Sequence, residues 1–148
     1  MIGLAMTTGS LTLSTFDSPP DDMVRTVDEG LEAHNHSVAP LSEVRALATF
    51  AQSPDGTVRG GALGRTWGKC CELLELWVSP DQRGQGTGSA LLKLFEQQAR
   101  QRGCSVFYLT TLSFQAPDFY RRHGYQVTTE ISGYPNGIRK FLMQRTEA

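Results

Sequence analysis

The residues most suited to chemistry form a glycine-rich segment, residues 83–89 (RGQGTGS), which joins an apolar run to an amphipathic pattern. Because Gly84, Gly86 and Gly88 carry no Cβ, successive backbone N–H groups can turn toward one point and a bulky anion can approach the chain closely. The amphipathic pattern predicts a helix from Thr87, and the positive end of its dipole lies at the same place. The segment therefore predicts a pyrophosphate cradle, with the full charge of its arginine at the edge.

Glycine-rich phosphate loops also occur in nucleotide-binding proteins, and the spacing here argues against both usual kinds. A Walker loop ends in Gly-Lys-Ser or Gly-Lys-Thr, whereas this segment continues as Gly88-Ser89-Ala90. A dinucleotide-binding fingerprint needs a third glycine three residues after the second, and a serine stands there. A nucleotide-binding protein remains an alternative, which predicts that ATP or NAD would raise the melting temperature more than other ligands.

The elements that must position this segment are strands and helices in alternation. Periodicity, caps and turn residues predict a strand over 11–16, a helix from Asp21 to near Asn35 capped by Asp21 or Asp22, strands over 43–52 and 57–67 joined by a turn at 53–56, a strand over 70–79, a helix from Thr87 to Gln101 or Arg102, a strand over 105–112, a short helix from Pro117 closed by Gly124, and strands over 125–131 and 138–144. The strand, helix and strand over 70–112 predict a parallel pair with a right-handed crossover.

The helix predicted from Thr87 has one apolar face. Its members are Leu91, Leu94, Phe95 and Ala99. Glu96 and Arg100 stand four residues apart, so we expect them to form an exposed ion pair on the opposite face.

The two carboxylates of the strand before the loop are predicted to lie on opposite faces, because side chains alternate along a strand. One face carries Glu72, Leu74, Leu76 and Val78, and the other carries Leu73, Glu75 and Trp77. Any chemistry assigned to this strand therefore depends on which face meets the ligand.

Length and composition are those of one compact domain over residues 1–148, with residues 1–9 expected to be flexible. Apolar residues make up 39% and charged residues 20%, which excludes disordered, collagen-like and coiled-coil proteins. The formal charge is −1 and no basic run exceeds Arg121-Arg122, so we expect no nucleic-acid partner.

The cysteines and the apolar stretches indicate a reducing compartment. Cys70, Cys71 and Cys104 are odd in number, and they lack the spacing of a zinc site, so we expect buried thiols and no metal. The apolar start over residues 1–6 is too short for a signal peptide, and no stretch approaches the ~20 apolar residues of a membrane span. We therefore expect a cytoplasmic protein with no membrane partner.

Two motifs resemble the landmarks of the GNAT superfamily of N-acetyltransferases. Residues 83–88 (RGQGTG) match its acetyl-CoA signature R-x-x-G-x-G/A and follow a strand that ends in Leu76-Trp77-Val78. Residues 116–125 (APDFYRRHGY) are similar to the second landmark, A-x-x-F-Y-x-x-x-G-Y/F. The resemblance implies an α/β (α+β) fold with a mixed sheet of about six or seven strands, opened at the cofactor site, and helices on both faces.

The resemblance also implies where acetyl-CoA binds. Its thioester arm would pair with the backbone of Leu76 and Val78, and the Val78 N–H could polarise the thioester oxygen. The implied cofactor-binding residues are Leu76, Val78, Arg83, Gly84, Gln85, Gly86, Thr87, Gly88, Ser89 and Ser113. Ser113 replaces the asparagine of many relatives, although a serine can also donate and accept a hydrogen bond.

Two catalytic roles follow from the same resemblance. Tyr120 would lie near the CoA sulfur and protonate the leaving thiolate, which a phenol can do without being ionised. Glu72, six residues before Val78, matches the strand carboxylate that some relatives use as a general base. A water relay is the alternative route for that proton.

The sequence thus predicts transfer of an acetyl group from acetyl-CoA to a primary amine of a small molecule or peptide, by direct attack in a ternary complex. The alternative is a CoA-binding regulatory or interaction module without turnover. The acceptor stays open among antibiotics, polyamines, amino acids and protein N-termini, because loops set specificity on such a scaffold. A homodimer is also open.

Overall fold

Residues 6–148 are described by the structure, a computed structural model, and they fall into two compact units. One unit extends to Ser42 and the other spans Glu43–Ala148. A single domain over the whole chain stays a prediction, and residues 1–5 of the segment expected to be flexible lie outside the described residues.

The first unit contains one helix and a two-stranded antiparallel sheet. Its elements are β1 (Met6–Thr8), β2 (Leu11–Leu13) and α1 (Asp21–Val38). The predicted strand over 11–16 is therefore shorter than expected, and the helix runs past Asn35. The capping prediction is wrong, because Pro20 is the N-cap residue and no side chain caps the helix. Asp21 and Asp22 instead lie in the first turn, where the helix dipole favours negative charge.

The second unit is a mixed sheet with helices. Its elements are β3 (Arg45–Gln52), β4 (Val58–Trp67), β5 (Cys70–Val78), α2 (Thr87–Gln101), β6 (Val106–Leu112), α3 (Pro117–Arg122), β7 (Gln126–Ile131) and β8 (Lys140–Thr146). The strand order is β3-β4-β5-β6-β8-β7, with β5 and β6 parallel and the other described pairs antiparallel. The predicted mixed sheet and the parallel crossover through α2 are confirmed.

Helix α2 packs on one face of this sheet and forms the core with it. Leu92 and Phe95 of α2 are buried in one cluster with Phe107 of β6 and Met143 of β8. Leu94, predicted to belong to the apolar face, is 53% exposed, and the buried side of the helix carries Leu91, Leu92, Phe95, Glu96 and Ala99 instead.

The predicted exposed pair between Glu96 and Arg100 is wrong. Glu96 is only 2% exposed, and its carboxylate accepts hydrogen bonds from the Tyr125 hydroxyl at 2.9 Å and from Arg145 Nη1 at 3.2 Å. Arg100 pairs with Glu147 at 2.6 Å. Buried charges are stable when they are paired and hydrogen-bonded, so Arg145 of β8 and Tyr125, which precedes β7, are the partners that keep Glu96 inside.

Strand β5 contains a β-bulge at Leu74. Leu63 of β4 pairs with Glu75, and Gly64 pairs with Leu73, so Leu74 has no residue opposite it on β4. An extra residue in one strand reverses the alternation of side chains beyond it.

The bulge corrects the predicted faces of β5. The face toward α2 carries Leu73, Leu76 and Val78, and the opposite face carries Glu72, Glu75 and Trp77. Cross-strand partners share a face, and a Cβ on Gly60, which pairs with Val78, would approach Leu91 of α2. The predicted grouping of Glu72 with Leu76 and Val78 is therefore wrong.

The sheet opens between β5 and β6 at this bulge. The parallel ladder runs from the Cys70–Val106 pair to the Leu73–Leu109 pair and stops there. Beyond it, residues 75–78 of β5 pair with β4, and residues 110–112 of β6 pair with β8. The predicted opening of the sheet is confirmed.

Candidate active site

The open edge of β5 presents backbone hydrogen-bonding groups to the gap. The Ser79 N–H donates to the Arg59 carbonyl at 2.7 Å, which makes Val78 and Gly60 a non-hydrogen-bonded pair of the antiparallel ladder. The N–H and C=O groups of Val78 therefore point away from β4, and those of Leu76, two residues earlier, do the same. These are the two residues that the sequence predicted to bind a thioester arm.

The glycine-rich loop leads from this edge into α2. Gly84 and Gly86 have φ values of 75° and 81°, which residues with a side chain rarely adopt, so the loop needs glycine at both positions. The first intrahelical bond runs from the Ala90 N–H to the Gly86 carbonyl at 3.0 Å. The N–H groups of the three residues between them have no acceptor within the helix, and the helix dipole adds positive potential there. The loop and the helix terminus together form an anion-binding nest.

The loop, the open strand edge and α3 line one cavity of about 510 Å³. It brings together nine predicted site residues: Leu76, Val78, Arg83, Gly84, Gly86, Thr87, Gly88, Ser89 and Tyr120. Four further lining residues are Gln82, Ala116, Phe119 and Arg122. Ala116 and Phe119 belong to the second motif and could have been inferred from it, whereas Gln82 and Arg122 stand where neither motif specifies a residue.

Arg83 is anchored at the mouth of this cavity. Its Nε donates to the Val78 carbonyl at 3.0 Å, so the guanidinium bridges the end of β5 and the loop. Arg122 lines the same cavity from the last turn of α3. Two cationic side chains therefore accompany the nest of backbone N–H groups, as a site for a diphosphate requires.

Tyr120 is the fourth residue of α3, which begins at Pro117, and it lines the cavity. Its side chain is 8% exposed, and burial raises the pKa of its phenol to about 12. The rings of Phe119 and Tyr125 meet it edge-on at centroid distances of 5.2 and 5.9 Å. Its hydroxyl makes no hydrogen bond to any described residue, and so it is a protonated phenol with a free donor.

Three predicted site residues do not line the cavity. The Gln85 amide donates to the Asp81 carbonyl at 3.2 Å. The Ser113 hydroxyl accepts the Arg139 N–H at 3.0 Å and lies in a neighbouring cavity of about 350 Å³. The positions of Gln85 and Ser113 support the loop and the strand end, respectively.

Glu72, the third of these residues, is ion-paired on the face of β5 away from α2. Arg65 Nε and Nη2 each approach the same carboxylate oxygen, Oε2, at 2.8 Å. Tyr108 of β6 is the residue that pairs with Glu72 between the two strands. Burial is the main cause that raises the pKa of its phenol, and the Glu72 carboxylate raises this pKa further. The Glu72 carboxylate therefore lies among polar side chains, on the face of β5 opposite to the one that carries the apolar side chains of Leu76 and Val78.

The comparisons with known proteins agree with this geometry. Residues 16–125 match the model of the Acetyltransferase (GNAT) family. The chain belongs to this family. Blasticidin-S acetyltransferase of Streptomyces morookaense is 38% identical over 108 residues, which cover 70% of this chain and 79% of that protein. Thialysine N-epsilon-acetyltransferase of Bos taurus is 38% identical over 123 residues, which cover 76% and 72% of the two chains.

Solved structures of GNAT-type acetyltransferases share the fold. An acetyltransferase from Bacillus cereus superposes with a TM-score of 0.75 at 24% identity, over 90% of this chain and 97% of that one. An acetyltransferase from Bacillus anthracis, solved in complex with acetyl coenzyme A, gives a TM-score of 0.61 at 14% identity over 69% and 62% of the chains. The protein is an N-acetyltransferase of a family that uses acetyl-CoA.

The described residues show neither a metal-binding cluster nor a membrane-spanning helix. Residues 6–148 contain no group of three or more His, Cys, Asp or Glu side chains that could hold a metal ion. Within the same residues, no helix has the length and apolarity that a membrane crossing demands.

Proposed function

We propose that the cavity binds acetyl-CoA and that the chain transfers its acetyl group to a primary amine of a small molecule or peptide. One observation carries the proposal: the opening of the sheet beside Val78 and the anion nest at residues 84–89 belong to one cavity. A ligand that is anionic at one end and an extended amide chain at the other matches this pairing of features. Coenzyme A has both.

The residues of the chain fit this ligand on structural grounds. The diphosphate would lie on the N–H groups of Thr87, Gly88 and Ser89, which have no acceptor within the helix. The thioester arm would bond to the outward N–H and C=O groups of Leu76 and Val78, as an added strand does at a sheet edge. A Cβ on Gly88 would lie 3.6–3.7 Å from Phe119 and Val78 and would narrow the space between them.

Acetyl-CoA supplies the acetyl group as an activated thioester. The Val78 N–H on the open edge would donate to the carbonyl oxygen of that thioester, where negative charge develops during attack. Tyr120 would give its phenolic proton to the sulfur as the bond to the acetyl carbon breaks. The phenol is protonated at neutral pH, as a proton donor must be, and burial raises its pKa to about 12, so it stays protonated in alkaline solution as well.

The proton of the attacking amine has two candidate acceptors, Glu72 and a water relay. Glu72 keeps one carboxylate oxygen outside the Arg65 ion pair, which leaves it able to accept a proton. Because Glu72 lies on the face away from Leu76 and Val78, its carboxylate would reach the attacking amine through a water molecule and not by direct contact. Exchange of Glu72 for Gln decides between them: a loss of kcat of about 10² or more supports Glu72 as the base, and an unchanged kcat supports the water relay.

The acceptor is proposed by analogy with the named relatives. One acts on blasticidin S and another on the Nε of thialysine, so small molecules are the first compounds to test. We propose a small-molecule amine, with a peptide amine second.

The test combines calorimetry with a transfer assay. We expect the protein to bind CoA and to release it from acetyl-CoA in the presence of at least one amine from a panel of nucleoside antibiotics, amino acids, polyamines and peptides. Direct attack in a ternary complex predicts intersecting double-reciprocal plots, whereas parallel plots would indicate an acetylated enzyme and contradict it. CoA binding without any transfer would instead support the binding-module alternative.

A further inference from the structure

Ser89, in the first turn of α2, has a partner that stands behind the cavity wall. Ser89 lines the cavity, and its Oγ lies 3.0 Å from Nε2 of His123, which follows the last residue of α3. The imidazole packs against the ring of Phe119, with 4.7 Å between centroids and a tilt of 52°. The contact joins the start of one helix to the end of another at the proposed diphosphate site.

The position of His123 is fixed from the opposite side as well. Arg145 Nη1 donates to the His123 carbonyl at 2.9 Å. The same guanidinium is held by Glu96 at 3.2 Å and by Glu147 at 2.8 Å. A partly buried ion-pair network therefore orients the backbone that carries the imidazole, while Phe119 orients the ring.

The proton of the imidazole decides what the Ser89 hydroxyl can offer to a ligand. If Nε2 is bare, the Ser89 O–H donates to it, and only oxygen lone pairs face the cavity. If Nε2 carries the proton, it donates to Oγ, and the Ser89 proton is free to bond to an anion. Burial is the main cause that lowers the pKa of His123, opposed by Glu96 and assisted by three cations, Lys93, Arg122 and Arg145. A neutral imidazole near pH 7 can adopt either tautomer.

We propose that His123 is a positioning residue for the diphosphate of acetyl-CoA: its Nε2–H donates to Ser89 Oγ and so turns the Ser89 hydroxyl proton toward a phosphate oxygen. This inference rests on the proposed binding of acetyl-CoA. It assigns the second motif a role in cofactor binding in addition to the acid function proposed for Tyr120. An anionic ligand selects the Nε2–H tautomer because the bare-Nε2 arrangement directs lone pairs at it.

A pair of amide substitutions tests the proposal. The side-chain nitrogen of Gln reaches the position of imidazole Nε2, whereas that of Asn reaches only the position of Nδ1. We expect His123→Asn to raise the Kd for CoA and the KM for acetyl-CoA about tenfold, the size of a charge-assisted hydrogen bond, with kcat within about twofold of the parent. His123→Gln should restore both constants to within about threefold, since its amide can donate to Ser89 Oγ.

A truncated donor separates positioning from a general structural effect. Acetyl-pantetheine carries the thioester arm but no diphosphate, so His123→Asn should leave its KM unchanged. An equal rise in KM for both donors would overturn the proposal, as would equal CoA affinities of the parent and His123→Asn. In the Ser89→Ala background, His123→Asn should have no further effect on the Kd, and additive effects would also overturn it.

The failures of the two proposals are distinguishable in this design. A parent protein that does not bind CoA in calorimetry overturns the proposed function and this inference together. A parent that binds CoA, with affinity insensitive to both amide substitutions, overturns only the role of His123.

Discussion

Strand β5 behaves differently on the two sides of its bulge. Residues 70–73 are hydrogen-bonded to β4 on one edge and to β6 on the other, so their backbone groups are used within the sheet. Residues 75–78 pair only with β4 among the described strands, and their other edge faces the cavity. The same strand therefore belongs to the closed sheet at one end and lines the candidate ligand site at the other.

Helix α2 repeats this division along its length. Its N-terminal N–H groups have no acceptor within the helix and face the cavity. Its second half carries the buried Glu96, which Tyr125 and Arg145 satisfy. We call the residues that line the cavity the open half of the second unit, and the paired part of the sheet with the core around Glu96 the closed half. We expect substitutions in the open half to change turnover or affinity, and substitutions in the closed half to change the free energy of unfolding.

Tyr120→Phe should give the largest effect in the open half. The change removes the proposed proton donor, so we expect kcat to fall by about 10² or more. The free energy of unfolding should change by less than about 0.5 kcal/mol, because the hydroxyl bonds to no described residue. Steady-state rates of CoA release and urea unfolding measure the two quantities.

Tyr125→Phe is the matched control in the closed half. It removes a hydroxyl that donates to the buried Glu96 carboxylate at 2.9 Å, so we expect a loss of about 1–3 kcal/mol in stability with kcat unchanged. A large loss of kcat in this control, or none in Tyr120→Phe, would contradict the division.

Gly64→Ala should give the largest loss of stability in the closed half. A Cβ at this position would collide with the Glu72 carbonyl and lie 2.7 Å from Cζ of Phe95. Overpacking of this kind costs about 3 kcal/mol, because a carbonyl in a paired strand cannot move aside. Urea unfolding should show the loss, while calorimetry on the folded protein should give an unchanged Kd for CoA.

Gly86→Ala is the corresponding glycine substitution in the open half. A Cβ there meets no atom within 4 Å, but its φ of 81° is strained for alanine by about 1–2 kcal/mol. The loop can relieve this strain by turning its N–H groups away from the cavity. We therefore expect the Kd for CoA to rise about tenfold, with a loss of stability of at most about 1 kcal/mol. Unchanged affinity would show that the nest tolerates a different loop conformation.

The sequence predicted the elements better than the contacts between them. Periodicity and turn residues gave strand and helix bounds within a few residues in the second unit, because glycine and proline mark ends locally. The bulge at Leu74 has no such mark, since any residue can be the extra one. The prediction that Glu72 shares a face with Leu76 and Val78 was therefore wrong. The prediction of an exposed pair between Glu96 and Arg100 was also wrong, because the burial of Glu96 depends on Arg145 and Tyr125, which are distant in sequence.

For the candidate site as well, the sequence indicated residues that local motifs contain and did not indicate contacts between distant elements. The loop motif includes residues whose proposed role depends on backbone conformation, such as Gly84 and Gly86, and these residues line the cavity. Arg122 and His123 stand at open positions of the second motif. Their relation to the loop arises from the packing of α3 against α2, which no local pattern encodes.

The smallest predicted effect concerns the pH dependence of the Tyr120 contribution. Burial raises the pKa of this phenol from the ordinary value of 10.0 to about 12, so at pH 10 only about one molecule in a hundred has lost the proton. The ratio of kcat between the parent and Tyr120→Phe should therefore change less than twofold from pH 7 to pH 10, measured with blanks for thioester hydrolysis and with melting curves at each pH. An unburied phenol would be half ionised at pH 10, and the ratio would fall with a midpoint there. Such a fall would mean that the Tyr120 hydroxyl is as hydrated as one on the protein surface, and it would contradict the burial on which its role as a proton donor in the cavity depends.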